Sequence, residues 1–298
     1  MSSTPEARAG SAPQQLRALL AEPGLLLVPG AFDALAARLI EAAGFRVVYA
    51  TGAGIANAYL GWADVGLTTM TEVRDAVWHI VDATSLPVIA DIDTGFGNAV
   101  NVARAVREFE RIGVAAVQLE DQVFPKRCGH FAGKAVIAQA EMVGKIRAAC
   151  DARHNGLVLV ARTDARAVEG LEAAIARARA YREAGADVLF VEAPRSRAEL
   201  ETIAAALGDA PLLVNLVEGG QTPLLPAAEL ARMGYKLALY ANTALRAAAR
   251  GIQRALAYLA AHGSTLGADD LLIDWETRQR LVRLPEIEAL ERRYAAPD

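Results

Sequence analysis

Arg111-Ile112-Gly113-Val114-Ala115-Ala116-Val117-Gln118-Leu119-Glu120-Asp121 sets a helix end, a glycine, an apolar run and two carboxylates in immediate succession. Glycine just past a helical segment is a C-cap signal. The run behind it is short and apolar throughout, the pattern of a strand buried on both faces. The phrase recurs at Glu41-Ala42-Ala43-Gly44 before Val47-Val48-Tyr49, at Glu183-Ala184-Gly185 before Val188-Leu189-Phe190-Val191, and at Arg232-Met233-Gly234 before Leu237-Ala238-Leu239-Tyr240. Four further runs, Leu25 to Val28, Val88-Ile89-Ala90, Leu157 to Ala161 and Leu212-Leu213-Val214, bring the set to eight. Spacings of about 20 to 40 residues, filled by helical patterns, are those of parallel βα units. Eight such units predict a closed (β/α)8 barrel. A doubly wound open sheet is the alternative. Against it, Gly52-Ala53-Gly54-Ile55-Ala56-Asn57 ends in Asn where a dinucleotide fingerprint wants Gly or Ala, and taken alone this turn reads as a plain tight loop.

With 298 residues, 53% of them hydrophobic, the chain can bury a large core, and its net charge of −4 is mild. No basic run or basic helix is present, which argues against nucleic acid and anionic membrane as partners. Two cysteines, Cys128 and Cys150, make no disulfide framework and fit a reducing compartment. Met1 to Gln14 lacks the basic start and apolar core of a secretory signal, and no uncharged apolar run approaches the roughly 20 residues of a membrane span. A cytoplasmic protein is expected. Residues 1–14 are expected to be a flexible N-terminus, 15–262 the catalytic barrel, and 263–298 a linker and helical extension.

The strand ends carry, in chain order, Asp33, Thr51, Asp91 with Asp93, Glu120 with Asp121, Arg162 with Asp164, Glu192, Asn215, and Tyr240 with Asn242. A parallel barrel gathers these on one rim, where barrel enzymes hold their active sites. Asp91, Asp93 and Glu120 are all oxygen donors, which select Mg2+ or Mn2+ over Zn2+. The alternative is that Asp93 and Glu120 pair with Arg162 and Lys126 and bind no metal. Arg162 offers a planar fork to a carboxylate or alkoxide, and the backbone N–H groups near Thr51 to Ala53 offer donors to a second carboxylate. A small polycarboxylate anion is the ligand these groups describe. After the fourth strand, Lys126-Arg127-Cys128-Gly129-His130 surrounds a thiol with protonatable neighbours, a setting that favours thiolate and suits a nucleophile or acid/base group. An exposed basic turn with an incidental cysteine is the plainer reading.

Together, Asp91-Ile92-Asp93-Thr94-Gly95-Phe96-Gly97, Glu120-Asp121-Gln122, Lys126-Arg127-Cys128-Gly129-His130, Ala161-Arg162-Thr163-Asp164-Ala165 and Phe190-Val191-Glu192-Ala193 resemble the isocitrate lyase and phosphoenolpyruvate mutase superfamily. The resemblance runs from about Leu25 to the C-terminus and is nearest to the short 2-methylisocitrate and 2,3-dimethylmalate lyases. It implies a Mg2+-dependent barrel, with Mn2+ as a substitute. A late helix, Asp274 to Arg293, would swap onto a neighbouring subunit of a homotetramer. It further implies Asp91 as direct metal ligand, with Asp93 and Glu120 acting largely through waters. Substrate contacts would come from Tyr49, Thr51, Gly52, Ala53, Asp64, Gly129, Glu192 and Asn215. Cys128 would be the acid/base residue, assisted by Lys126, His130 and Arg162. The implied reaction is retro-aldol/Claisen cleavage of a substituted 2-hydroxy di- or tricarboxylate to pyruvate and succinate or propionate.

The superfamily's Ser-Gly-Gly is Thr51-Gly52-Ala53 here, and Phe131-Ala132-Gly133 stands where methylisocitrate lyases have Arg-Pro-Asn. A third substrate carboxylate thereby loses a cation. Ala241 replaces the serine of oxaloacetate hydrolases, which weakens that activity as an alternative. A phosphonate enzyme of the same superfamily would typically lack the Cys-Gly-His loop, and a non-catalytic metabolite-binding barrel would not need a thiol beside Lys and His.

Overall fold

The computed structural model describes residues 10–127, 129 and 133–295. Cys128, His130 and Phe131 lie outside the described residues. Eight parallel strands, β1 (Leu26–Ala31), β2 (Val48–Ala50), β3 (Val88–Asp91), β4 (Ala116–Glu120), β5 (Val158–Thr163), β6 (Val188–Val191), β7 (Leu212–Asn215) and β8 (Leu237–Tyr240), close in sequence order into one barrel. The (β/α)8 expectation is met, and the doubly wound sheet is excluded by the pairing of β1 with β8. The glycines that end the four repeated phrases, Gly44, Gly113, Gly185 and Gly234, all have positive φ, as the C-cap reading requires.

Pleating divides each strand into two sets of side chains. In β4, Ala116 joins an inner cluster with Tyr49, Ile89, Val160, Phe190 and Leu239, while Val117 and Leu119 join the outer cluster under the helices. Both sets are apolar over most of their length, which is why the strands read as continuous hydrophobic runs. At the C-terminal ends the inward set turns polar: Thr51, Asp91, Glu120, Arg162, Glu192 and Asn215 continue the parity of Tyr49, Ile89, Ala116, Val160, Phe190 and Leu213.

The opposite end of the barrel is covered by the helix Ala12–Ala21. Its Leu16 and Leu19 are buried in the inner cluster, and Arg17 donates to the carbonyl of Gly156 (2.8 Å) and to Asp187 (3.1 Å), just ahead of β5 and β6. The N-terminal boundary expected at residue 14 therefore falls inside a helix, which starts at Ala12 behind a Ser11–Gln14 capping box.

The chain divides into two compact units after Thr243. The second takes up most of the helix Thr243–His262, which falls within the barrel expected at 15–262, and the helices Trp275–Leu281 and Leu284–Tyr294. None of these three helices buries a residue, and Ile252, Leu256, Trp275, Ile287 and Leu290 are exposed. The segment from Asp274 to Arg293, expected as one helix, is two. Arg283 adopts φ 60° and Pro285 sits in the first turn of the last helix, where a missing N–H and a ring that blocks the preceding turn enforce a new start. Among the described residues no helix is long and apolar enough to cross a membrane.

Candidate active site

The site is assembled at the C-terminal rim. Beyond β3, Asp93 takes φ 48°, its N–H donates to Asp91 Oδ1 (3.1 Å), and its carbonyl accepts from the N–H of Glu120 (2.9 Å). This stitches the turn after β3 to the end of β4. Glu120 and Arg162 are direct register partners on β4 and β5, with Arg162 Nε 3.3 Å from Glu120 Oε2. The guanidinium also donates from Nε to Asp164 Oδ2 (2.8 Å) and from Nη2 to Asp164 Oδ1 (3.0 Å), lies 3.6 Å from Glu192, and sits over the face of Phe190. Burial works against its charge, but Asp164, Glu120 and Glu192 outweigh burial and raise its pKa well above the ordinary value.

Lys126 is a second buried cation, with Nζ 2.5 Å from Asp64 and 2.8 Å from Asp93. Burial alone would lower its pKa, yet Asp93 and Asp64, with Glu120 and Asp91 behind them, carry it well above the usual lysine value. The Thr51–Asn57 stretch, read as a tight loop, opens the helix Gly52–Leu60. Thr51 caps it by accepting from Gly54 N–H (3.2 Å), so the first-turn N–H groups and the positive end of the helix face the rim. A side chain at position 52 would place its Cβ 3.0 Å from Asp91 Oδ2 and 3.4 Å from Asp93 Oδ1, so glycine keeps this helix end close to the carboxylates.

Tyr49, Thr51, Ala53, Asp64, Asp91, Lys126, Gly129, Arg162 and Asn215, all expected in the site, line one pocket. Gly52, Asp93, Glu120 and Glu192 lie against it through the contacts above. Three strand-end residues do not belong. Asp33 caps the helix Ala34–Ala42 by accepting from Ala36 N–H (2.7 Å). Asp121 has the outward parity and is spent on Thr163, Tyr181 and the Asp164 N–H at 2.7 to 2.9 Å. Tyr240 packs on the outer cluster, while its neighbours Leu239 and Ala241 face the pocket. Sequence reasoning missed Lys134, whose Nζ reaches Asp164 (2.7 Å) and the Gly129 carbonyl (2.5 Å), and the apolar Val217 and Leu239, which line the pocket with Ala241. Strand parity would have found Leu239; nothing in the pattern marked Lys134.

The ion pairs that were the alternative to a metal are both formed, Lys126 with Asp93 and Arg162 with Glu120. Among the described residues they leave buried carboxylates in excess: Asp64, Asp91, Asp93, Glu120, Asp164 and Glu192 stand against the buried cations Lys126, Lys134 and Arg162, with Arg127 exposed at the pocket's edge. Among the described residues, Glu120 Oε1 and Asn215 Oδ1 accept no hydrogen bond, and Asp93 Oδ1 meets Lys126 as an ion pair. Burial, with Asp93 next to it, raises the pKa of Asp91, and burial raises Glu120 well above the carboxylate range. Surplus buried negative charge on oxygen donors fits a hard divalent cation. Among the described residues no three carboxylate, His or Cys groups converge as a complete ligand set, so such an ion would take few protein ligands and keep waters.

A parallel barrel with buried carboxylates, buried cations and a helix N-terminus converging at its rim is an enzyme architecture for small anionic substrates. The chain belongs to the phosphoenolpyruvate phosphomutase family, whose model matches residues 16–260. It is 44% identical over 282 residues to the 2,3-dimethylmalate lyase of Eubacterium barkeri, covering 94% of this chain and 97% of that one. It is 43% identical over 285 residues to the 2-methylisocitrate lyase of Halalkalibacterium halodurans, covering 94% and 93%. A crystal structure of 2,3-dimethylmalate lyase, described as a PEP mutase/isocitrate lyase superfamily member, superposes with a TM-score of 0.91 at 38% identity over 96% of each chain. A phosphonopyruvate hydrolase complexed with oxalate and Mg2+ superposes at 0.87 with 31% identity, covering 95% of this chain and 99% of that one. The well-covered relatives place this enzyme among the carbon–carbon lyases of the superfamily.

Proposed function

We propose that the protein is a Mg2+-dependent oxo-acid lyase of the cytoplasm that breaks the C2–C3 bond of an alkyl-substituted 2-hydroxy acid. 2,3-Dimethylmalate would yield pyruvate and propionate, and 2-methylisocitrate pyruvate and succinate. The observation that carries this reading is the rim pocket itself, where Arg162 and Lys126 are held charged beside the Gly52–Leu60 helix end and which the apolar Val217, Leu239 and Ala241 also line. The polar groups fit the carboxylate and hydroxyl of the substrate, the apolar ones its alkyl groups.

Asp91 would hold the Mg2+ directly and Asp93 and Glu120 its waters, and the ion would act as a Lewis acid toward the C1 carboxylate and C2 oxygen. The chain's own groups do the rest. Arg162, aimed by Asp164, binds the C2 oxygen through its fork. The first-turn N–H groups of Gly52 and Ala53 hold a carboxylate. One of the buried carboxylates beside Arg162 takes the C2 hydroxyl proton, and as the C2=O double bond forms, C2–C3 breaks and its electrons pass to the departing carboxylate as an enolate-like dianion, whose charge Lys126, His130 and Asn215 offset. Cys128 then gives the proton that quenches it, leaving a propionate or succinate. The same chemistry fits Mn2+.

The metal assignment has a direct test. Asp91→Ala should abolish both turnover and the rise in Tm produced by added Mg2+, while Asp93→Asn should weaken them by about 10- to 100-fold in activity or metal affinity. Turnover that survives exhaustive chelation would end the metal reading.

Substrate order follows from counting donors. A third carboxylate needs a further cation, and the loop has Phe131 where methylisocitrate lyases have arginine. Arg127, which lines the pocket, is the observation that favours 2-methylisocitrate instead. With Mg2+ and a coupled lactate dehydrogenase, 2,3-dimethylmalate should release pyruvate with kcat/KM at least equal to that of 2-methylisocitrate. A preference for 2-methylisocitrate above about a hundredfold would reverse the order, and no pyruvate from either would overturn the lyase assignment.

A homotetramer is part of the same proposal, with the C-terminal helices swapped between subunits. Its support is the exposure of Ile252, Leu256, Trp275, Ile287 and Leu290 on helices that bury nothing, as expected of surfaces covered by another copy.

A further inference from the structure

We infer that Lys134 is a positioning residue that ties the Lys-Arg-Cys-Gly-His loop to the substrate arginine, an inference that rests on the lyase reading above. Its side chain is 2% exposed and its Nζ donates to the Gly129 carbonyl (2.5 Å) and to Asp164 Oδ1 (2.7 Å). Asp164 in turn grips Arg162 through both of its oxygens. The result is one buried chain of charge-assisted hydrogen bonds, Gly129 to Lys134 to Asp164 to Arg162, which ends on Glu120 and Glu192.

Two features separate this chain from ordinary core pairing. Lys134 does more than share in neutralising Asp164, which Arg162 also meets with two hydrogen bonds: it bonds a backbone carbonyl inside the loop as well. At the other end of the chain, Gly129 lies directly on Arg162 and Glu192, where a Cβ would fall 2.4 Å from Arg162 Nη2 and 2.7 Å from Glu192 Cδ. A side chain at 129 would collide with Arg162 as Asp164 holds it, so the backbone at Gly129 packs on the arginine as glycine. Lys134 is bonded both to this backbone and to the carboxylate that aims the arginine.

The test is Lys134→Met, which keeps the length of the side chain and removes its donors. In the Mg2+-loaded enzyme kcat should fall by about 10- to 100-fold, the usual scale for losing such a partner, while affinity for oxalate stays within about threefold, because Arg162 keeps Asp164. Lys134→Arg should restore much of kcat. Hydrogen exchange should accelerate at residues 126–134 and stay unchanged in the strands, a readout that needs no turnover. Combined with Gly129→Ala, which displaces the loop by itself, Lys134→Met should add little further loss. Wild-type kcat in Lys134→Met, or additive effects of the two changes, would overturn the proposal. So would exchange that rises throughout the barrel, or an Lys134→Met chain that fails to fold, since both would make Lys134 a stability residue. Pyruvate release by the wild type is measured first, so a failed lyase assignment shows itself there and leaves the exchange comparison to decide on Lys134.

Discussion

Arg162→Met is expected to cost about 3–5 kcal/mol of stability and to lower kcat/KM by about a hundred- to a thousandfold. The stability loss follows from what remains: Asp164, Glu120 and Glu192 stay buried at 2.8 to 3.6 Å from a cation that is gone. With Asp164 alone, Lys134 is left as a partner. Such a loss is a large share of a typical domain's stability, so the variant that isolates the chemistry is Arg162→Lys. Lysine keeps the charge but not the planar fork, and should recover much of the Tm while kcat/KM remains depressed. Urea melts of the three proteins beside their pyruvate release rates would show the split. Near-normal turnover by Arg162→Lys would mean that the fork takes no part in holding the substrate oxygen.

Cys128→Ser should leave fold and oxalate binding as they are and reduce C–C cleavage by at least about a hundredfold, the scale for losing a positioned proton donor. Serine keeps the size of the side chain but gives up its proton far less readily, so the enolate-like fragment would wait for its proton. Lys126, Arg127 and His130 flank this thiol, whereas Cys150 lies on the helix Gln139–Ala152, where burial raises its pKa. Cys150→Ser is therefore the control and should turn over normally. A serine variant at 128 with wild-type kcat would remove this thiol from the mechanism.

The barrel was legible because the strands are apolar on both faces and four of them follow a glycine that caps the preceding helix, a pattern read directly from the sequence. Much of the site was legible for a related reason: residues such as Asp91, Glu120, Arg162 and Glu192 are the first polar positions that each run meets. What the run does not reveal is which of two adjacent polar residues faces the barrel axis. Glu120 and Asp121 read alike, but pleating sends one to Arg162 and the other to Tyr181 and Thr163. Tyr240 misleads in the same way, its polar tip drawing attention from Leu239. The helix Gly52–Leu60 was hidden by its glycines, whose low propensity is outweighed by the Thr51 cap and by burial of Ile55 and Ala56. Lys134 was beyond reach, since its partners at 129 and 164 meet only in three dimensions.

The helix Ala12–Ala21 and the pairing of β1 with β8 bear on the order in which the molecule can be made. Leu26 to Pro29 pair with Leu237 to Tyr240, so β1 must wait about two hundred residues of synthesis for its second neighbour. Until then β1 presents an open edge, and the inner layer of Tyr49, Ile89, Val160 and Phe190 has no closed wall around it. The N-terminal helix has Leu16 and Leu19 ready from the outset but gains its seat only when the segments ahead of β5 and β6 supply Gly156 and Asp187 to Arg17. Synthesis therefore delivers the seal well before the closing strand, and a chain interrupted before β8 exposes both an unpaired strand edge and an unsealed apolar interior, the two surfaces on which newly made chains aggregate.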